Sequence, residues 1–301
     1  MLKYIICGLL ALLLCSCKEK QVEKQNKEKS SVVFCKDELG RELRLDTVPK
    51  RILPLCASSL EFLTMLCDTA DIIGRTPECT SPDWIARKPV VNNYPLDMEK
   101  ILLLKPDLIV SKEGMLSNDQ LKTLESLGLK VYMQKGNSIP DVLKSLSGLG
   151  LVLGKKKEGD VHAASLVHQF DQLKDQCGHE QGSAIVLISA DPLYVYGYTS
   201  YVSDLLLYVG LKNAIDSTID QVYPVVDQEF LLQANPDYLI LPLYLKESQT
   251  LFTTYPLLKK LKAYENNHCL YINDDWLSRP SPNLIKAAQY MATEICEHEK
   301  K

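Results

Sequence analysis

The sequence lacks the signatures of the common catalytic sites. No G-x-S-x-G elbow, H-E-x-x-H helix or P-loop occurs in its 301 residues. The spacing Gly148-x-Gly150-x-x-x-Gly154 is similar to a dinucleotide-binding turn, but it lies within an amphipathic helical pattern and does not follow a strand. We therefore interpret it as helix and predict a protein that is not an enzyme and has no catalytic residues.

Histidine and basic charge are also scarce. There are five histidines, and none falls where a loop could build a zinc or manganese cage. This predicts no metal site and no cofactor, and it disfavours a receptor for metal ions. The formal net charge is -4, without a basic stripe, which argues against nucleic acid as a partner.

Cysteine is plentiful, but its spacing does not indicate a disulfide scaffold. Ten cysteines occur without a C-x-x-C pair, and the seven that follow Cys17 are an odd number. Several have apolar neighbours, as Cys56 and Cys67 do, and there a free cysteine behaves as a small hydrophobe. The pattern leaves room for one bridge and no more is expected.

The start of the chain has the pattern of an export signal followed by a tether. Lys3 supplies a positive charge, and Tyr4 to Leu14 form an apolar run too short to span a bilayer comfortably. The run leads into Cys15-Ser16-Cys17, which resembles the lipobox of bacterial lipoproteins. The resemblance implies a signal peptide at 1–16, cleaved before Cys17, and lipidation of the Cys17 thiol. Residues 17–31 then form a disordered tether, because they are too polar to fold.

An internal repeat is the most informative pattern. Asp97-Met98-Glu99 and Asp227-Gln228-Glu229 each precede a short apolar helical stretch, a Pro-Asp pair and a buried strand, with the same spacing from aspartate to proline. In each copy the aspartate suits a helix N-cap, and the glutamate lies in the first turn near the positive end of the helix dipole. Two copies predict two related lobes.

The rest of the pattern predicts the α/β class. Strands alternate with helices, which favours mainly parallel central sheets covered on both faces. A helix predicted from about Gly159 to Gln176 would extend about 25 Å and would join the two lobes. We predict lobes at 32–153 and 179–301, a single long connecting helix within 154–178, and a ligand cleft between the lobes.

Several stretches also carry a family resemblance. They are Asp37 to Arg41, Pro49 to Leu55, Ser58 to Glu61, Met98 to Ile109, and Asp275 to Pro282. They resemble the cobalamin and iron-siderophore periplasmic binding proteins, the substrate-binding components of ABC importers, over about 32–295. The resemblance implies an interlobe ligand cleft with little closure, and an extracytoplasmic, membrane-anchored monomer. It also implies an ABC permease dimer and its ATPase as partners.

The same resemblance implies roles for particular residues. Glu99 and Glu229 match glutamates that dock on arginines of the two permease subunits, although both could simply satisfy helix dipoles. Aromatic side chains suit a bulky amphipathic ligand, and strict alternation would place Tyr194, Tyr196 and Tyr198 on one face of a strand. Arg279 could meet an anionic group or a structural carboxylate. The expected ligand-binding residues are Trp84, Asn93, Tyr94, Tyr194, Tyr196, Tyr223, Trp276 and Arg279.

The resemblance favours a corrinoid as the solute. The stretch Asp275 to Pro282 looks most like the cobalamin-binding members, whereas 77–81 lacks the aromatics found in them. A ferric siderophore and haem are the alternatives, since tyrosine can ligate haem iron. A function of another class is a lipoprotein sensor or chaperone that keeps this fold without transport.

Overall fold

A computed structural model describes residues 33–177 and 182–298, so that Cys17, the predicted signal peptide and the predicted tether lie outside the described residues. The first lobe combines a β-hairpin with a three-stranded sheet and four α-helices. Its strands and helices are β1 (Val33–Lys36), β2 (Glu42–Leu45), β3 (Ile52–Pro54), α1 (Ala57–Leu66), α2 (Met98–Leu104), β4 (Leu108–Lys112), α3 (Asn118–Ser126), β5 (Val131–Gln134) and α4 (Ile139–Val152).

The second lobe follows the longest helix described, α5 (Lys156–Cys177). It contains a five-stranded sheet surrounded by shorter helices. The elements are β6 (Gly182–Ala190), β7 (Leu193–Val195), α6 (Tyr201–Tyr208), β8 (Leu211–Asn213), α7 (Gln228–Ala234), β9 (Tyr238–Pro242), α8 (Leu243–Ser248), α9 (Thr250–Thr254), α10 (Lys262–Glu265), β10 (Cys269–Ile272), α11 (Asp274–Leu277) and α12 (Leu284–His298).

Both central sheets are mainly parallel, as the alternation of strands and helices predicts. In the first lobe the order is β3-β4-β5, with Ile52 beside Leu108. In the second lobe β10, β9, β6 and β8 run parallel and only β7 is antiparallel, pairing with β6. Every residue of the central strand β9 is buried, because helices cover both of its faces. The α/β class with two lobes and parallel sheets is confirmed.

The structure shows how the internal repeat works. The Asp97 carboxylate caps α2 by accepting from the Lys100 amide at 3.0 Å. The Asp227 carboxylate caps α7 by accepting from the Phe230 amide at 2.7 Å. Each helix ends at a residue in the left-handed region, and the buried strand β4 or β9 follows. The two sequence copies therefore fold alike.

The aspartate of each Pro-Asp pair holds the neighbouring strand. Asp107 Oδ2 accepts from the Arg51 amide at 3.0 Å, just before β3 begins. Asp237 Oδ2 accepts from the Ser183 amide at 2.9 Å, at the start of β6. The equivalence of these bonds extends the repeat from one helix and strand to a pair of adjacent strands in each lobe.

The helix α5 begins three residues before the predicted start and packs on elements of both lobes. Gly150 on α4 and Gly159 on α5 let the two backbones approach, with their Cα groups in contact. Farther along, Phe170 packs on Tyr208 of α6, with ring centroids 4.8 Å apart. Gly148 lies within α4, as predicted. A hydrophobic cluster that includes α5 contains residues of both lobes. The domain boundaries given above remain a prediction.

Candidate functional site

The carboxyl ends of β3 and β10 lead into the two walls of a cleft between the lobes. Ligand crevices of parallel sheets open at such strand ends. Here α1 follows β3 and α11 follows β10, and together they border a cavity of about 360 Å³. The cavity is lined by Ala57, Leu60, Glu61, Thr64, Cys79, Thr80, Ser81, Pro82, Asn273, Asp275, Trp276, Arg279, Asn283 and Lys286.

Arg279 joins the two walls of this cleft. Its Nη1 lies 3.4 Å from Glu61 Oε1 on α1, and its Nη2 forms an ion pair with Asp275 on its own lobe. Arg279 is thus paired with two carboxylates, and its contact with an anionic group of a solute stays a prediction. The side chains of Arg279 and Glu61 are 21% and 15% exposed, so this ion pair is only partly screened by solvent.

Glu61 makes two polar contacts with the opposite lobe, the ion pair with Arg279 and a second one with Ser281. The Ser281 hydroxyl donates a hydrogen bond to Glu61 Oε2 from the opposite lobe. Burial raises the pKa of the Glu61 carboxyl, while the Ser281 hydrogen bond and the Arg279 charge act in the opposite direction. The contact between the lobes thus desolvates the Glu61 carboxylate.

The two lobes are also in close contact beside the Arg279–Glu61 ion pair. A Cβ on Gly136 would lie 2.6 Å from Pro280 Cγ and 2.7 Å from Lys112 Cε. Only glycine permits the approach of Pro280 to the end of β5. The segment 279–281 therefore contacts the first lobe through three successive residues.

The predicted aromatic residues of the second lobe fall into two places. Trp276 lines the 360 Å³ cavity and packs edge-on against Tyr290, with centroids 6.4 Å apart. Tyr194 and Tyr223 are 38% and 45% exposed, and Tyr223 packs edge-on against Tyr196 at 5.7 Å. Tyr194 bridges to Val225, two residues after Tyr223.

The expectation that Tyr194, Tyr196 and Tyr198 share one face of a strand is wrong. The strand β7 ends at Val195, and Tyr196 is only 4% exposed, while Tyr194 and Tyr198 are exposed. The Tyr196 hydroxyl points to the Leu277 carbonyl at 3.4 Å. Its ring also lines a smaller cavity of about 220 Å³ at the ends of β9 and β10. Because the strand stops after three residues, alternation does not continue.

The predicted residues of the first lobe are not among those that line the 360 Å³ cavity. Trp84 packs against the core, with Lys88 Nζ 5.9 Å from its ring centroid. Asn93 donates to Glu78 Oε1 at 2.5 Å. Tyr94 is 95% exposed. Their contact with a solute stays a prediction.

Glu99 and Glu229 occupy equivalent and exposed positions. Each lies in the first turn of its helix, α2 or α7, two residues after the capping aspartate. Neither carboxylate has an ion-pair partner among residues 33–177 and 182–298. The geometry leaves both available to a partner.

Sequence reasoning missed Glu61 and Ser281 as site residues. Both stand in stretches that carry the family resemblance, and the one charged residue of α1 was the available signal, because charged groups are seldom buried without a partner. What the sequence did not reveal was that their partners come from the opposite lobe.

No cluster of three potential metal-ligating His, Cys, Asp or Glu side chains lies within the described ranges. No helix there is both long and apolar enough to cross a bilayer.

A family model described as periplasmic binding protein matches residues 55–275, a span that includes α1, the repeat and α5 and ends within α11. The chain belongs to the periplasmic binding protein family. Proteins of this family bind solutes and are not enzymes, which agrees with the missing catalytic motifs.

Two relatives show how far the similarity of this periplasmic binding protein extends. An uncharacterised ABC transporter substrate-binding lipoprotein of Bacillus subtilis is 23% identical over 95% of this chain and 94% of its own length. The vitamin B12-binding protein of Vibrio campbellii is 25% identical over 69% of this chain and 74% of its own length.

Solved structures show the same fold. The periplasmic vitamin B12-binding protein of Vibrio cholerae has a TM-score of 0.75 at 20% identity, covering 84% of this chain and 99% of that one. A periplasmic haem-binding protein of Pseudomonas aeruginosa has a TM-score of 0.74 at 19% identity, covering 82% and 92%. At these identities the likeness is one of fold, shared by proteins named for different ligands.

Proposed function

We propose that this protein captures a solute outside the cytoplasm and delivers it to the permease dimer and ATPase of an ABC importer. The equivalent exposed positions of Glu99 and Glu229 carry the proposal. Two identical carboxylates on two related lobes suit a partner that presents the same basic side chains twice, as a two-fold symmetric permease does. The name of the Bacillus relative, which is similar over 95% of the chain, supports the same role.

The proposed solute is a corrinoid, and cobalamin in particular. The Vibrio relative named for vitamin B12 supports this choice. The rings of Trp276, Tyr194 and Tyr223 offer stiff apolar surface with polar tips, which suits a bulky amphipathic ligand. The other proposed contacts are Arg279, Tyr196, Trp84, Asn93 and Tyr94.

The proposed location is the outer side of a membrane, where the protein is a monomer anchored through lipidated Cys17. The apolar run that ends in Cys17 and the polar residues 18–31 support this arrangement. A tether raises the effective concentration of the binding protein at a membrane-bound partner, so the anchor would act together with the docking glutamates.

Titration calorimetry with cyanocobalamin, haemin and a ferric hydroxamate siderophore tests the solute. We expect binding heat with cyanocobalamin, and about tenfold weaker binding after Trp276→Ala, because truncating a buried aromatic contact removes more than 1 kcal/mol. Phe34→Ala, at an exposed position on β1, is the control. Heat with only haemin or only the siderophore would replace the corrinoid, and no heat with any of the three would favour the sensor or chaperone.

Charge reversal tests the docking role in the same protein. Glu99→Lys combined with Glu229→Lys should abolish uptake while solute affinity stays unchanged. The matched control is Asp119→Lys with Glu158→Lys, since these are also exposed acids in first turns of helices, α3 and α5. Equal loss of uptake in the control pair, or loss of solute binding in the first pair, would count against docking.

A further inference from the structure

The first turn of α1 collects buried hydrogen-bond donors without an acceptor. Its N-cap residue is Cys56, no side chain caps the helix, and no acidic residue lies in its first turn. Ala57, Ser58 and Ser59 are buried residues, and no hydrogen bond from their amides is found among the described residues. Helix starts normally supply one, as Asp97 does for α2, because the first amides have no intrahelical partner.

Gln134 adds a further donor at the same place. Its side chain is 1% exposed, and its Oε1 accepts from the Ser59 hydroxyl at 2.7 Å, which holds the carboxamide against the first turn of α1. Its Nε2, on the same planar group, has no hydrogen-bond partner in the described part of the chain. An unpaired buried N–H is costly, so a missing acceptor is expected beside it.

Lys112 brings a positive charge beside Gln134. The two residues lie directly opposite each other in the parallel pair β4–β5, so their side chains share a face of the sheet. Burial lowers the pKa of Lys112, while the Cys56 thiol and the Glu113 carboxylate act in the opposite direction. No ion pair of Lys112 is found among residues 33–177 and 182–298.

The balance of donors and acceptors decides the chemistry of the ligand. The acceptors nearby are the Cys56 sulfur, already 3.1 Å from the Ser59 hydroxyl and 3.3 Å from the Ser58 hydroxyl, and the occupied Gln134 oxygen. The donors are three helix amides, the two N–H bonds of the Gln134 carboxamide and the Lys112 ammonium. Such a surplus of donors at a helix N-terminus favours an anion.

We propose that this turn binds a small oxyanion, a carboxylate or phosphate group, at an α1 anion site formed by the amides of residues 57–59, Gln134 Nε2 and Lys112 Nζ. Ala57 also lines the 360 Å³ cavity, so an anionic group on a solute in the cleft reaches the site there. The existence of the α1 anion site does not depend on which solute the protein binds. Only the assignment of the anion to a group of the solute rests on the proposed function.

Calorimetry and thermal unfolding with inorganic phosphate and with acetate, against chloride at constant ionic strength, test the site. We expect the wild type to bind one of the two oxyanions and Lys112→Met to bind it about tenfold more weakly, the loss typical of one charge-assisted hydrogen bond. Lys122→Met, at an exposed position on α3, should bind as the wild type does. Equal affinity in all three proteins, or no oxyanion binding by the wild type, would overturn the proposal.

Gln134→Glu gives a second test that does not depend on weakened folding. It places a carboxylate beside the free amides, so the response to oxyanions should vanish while the unfolding temperature in oxyanion-free buffer stays at or above that of the wild type. A retained oxyanion response in this variant would contradict the site.

Competition separates the two sources of the anion. If a group of the solute occupies the site, phosphate should weaken cyanocobalamin binding in the wild type but not in Lys112→Met. If the site takes a free anion, cyanocobalamin affinity should not depend on phosphate. Phosphate or acetate binding without any cyanocobalamin heat would reject the proposed solute and keep the anion site, so the two failures are distinguishable.

Discussion

Glu38 is a carboxylate with three donors around it. Its Oε2 accepts from the Lys135 amide at 2.7 Å and from the Ser145 hydroxyl at 2.8 Å, and the Tyr132 hydroxyl lies 3.3 Å from Oε1. These bonds connect the loop after β1 to β5 and α4. Even so, burial raises the pKa of Glu38 to about 7, because desolvation of the charged form outweighs the hydrogen bonds.

This residue should make stability depend on pH. From about pH 4.5 to about pH 7 the folded protein binds more protons at Glu38 than the unfolded chain does, so the free energy of unfolding should fall as pH rises through that window. The difference between the two pKa values corresponds to about 3 kcal/mol. Urea unfolding of the wild type and Glu38→Gln at pH 5, 6, 7 and 8 measures it.

The comparison of the two proteins isolates this group. The variant should lose the part of the slope between pH 5 and 7 that comes from Glu38, whereas Glu42→Gln, which changes an exposed carboxylate on β2, should keep it. A Glu38→Gln protein with the slope of the wild type would show that other groups set the pH dependence.

Helices and strands were the part of the fold that the sequence could predict. The Asp-x-Glu and Pro-Asp motifs of the repeat act through bonds a few residues away, so α2, α7, β4 and β9 follow from local chemistry. The seam between the lobes could not be predicted in the same way, because Glu61 and Ser281 are 220 residues apart. The prediction for Tyr196 was wrong because β7 ends at Val195. The end of this strand depends on its tertiary contacts, which the alternation of side chains in the sequence does not reveal.

The crossing of α4 and α5 depends on glycine. A Cβ on Gly159 would lie 2.5 Å from the Leu146 carbonyl oxygen and 3.0 Å from Gly150 Cα. Both neighbours are backbone atoms, so no side-chain rotation can relieve the contact. Glycine in a helix interior otherwise lowers helix stability, and its presence here follows from the close approach of the two backbones.

Gly159→Ala should therefore destabilise the protein, against the direction of helix propensity. We expect a loss of about 1–2 kcal/mol, since overpacking of a close contact exceeds the gain of about 1 kcal/mol from alanine. Denaturant unfolding measures it, with Ser165→Ala on the exposed face of α5 as the control, within about 0.5 kcal/mol of the wild type. A more stable Gly159→Ala protein would mean that α4 and α5 separate easily.

An ion pair between one carboxylate and one guanidinium joins the lobes at the cleft, in addition to the Ser281 hydrogen bond and the hydrophobic core that the lobes share. Arg279 keeps Asp275 as a second partner, but Glu61 has no other cation within the described chain that contacts it. Removal of Arg279 consequently leaves the largely buried Glu61 carboxylate without a counter-charge, whereas removal of the Glu61 charge leaves Arg279 paired with Asp275. The two deletions should differ in cost.

We predict that Arg279→Met lowers the free energy of unfolding by about 3 kcal/mol, the cost typical of breaking a buried pair, and that Glu61→Gln lowers it by clearly less. The double variant should recover part of the loss, because no unpaired charge remains. Chemical denaturation measures all three, with Arg44→Met as a control at an exposed ion pair. Equal losses in the two single variants would show that the pair acts only as packing.

The hydrophobic cluster that extends through α5 into both lobes has a consequence for how this protein can change. Leu166, Phe170 and Leu173 are buried in a cluster shared by residues of both lobes. A substitution at any of them alters the interior of both lobes at once, although each lobe contains its own copy of the repeat. The surfaces of the two lobes can therefore diverge independently, whereas a change in the interior around α5 has to be accommodated by both lobes.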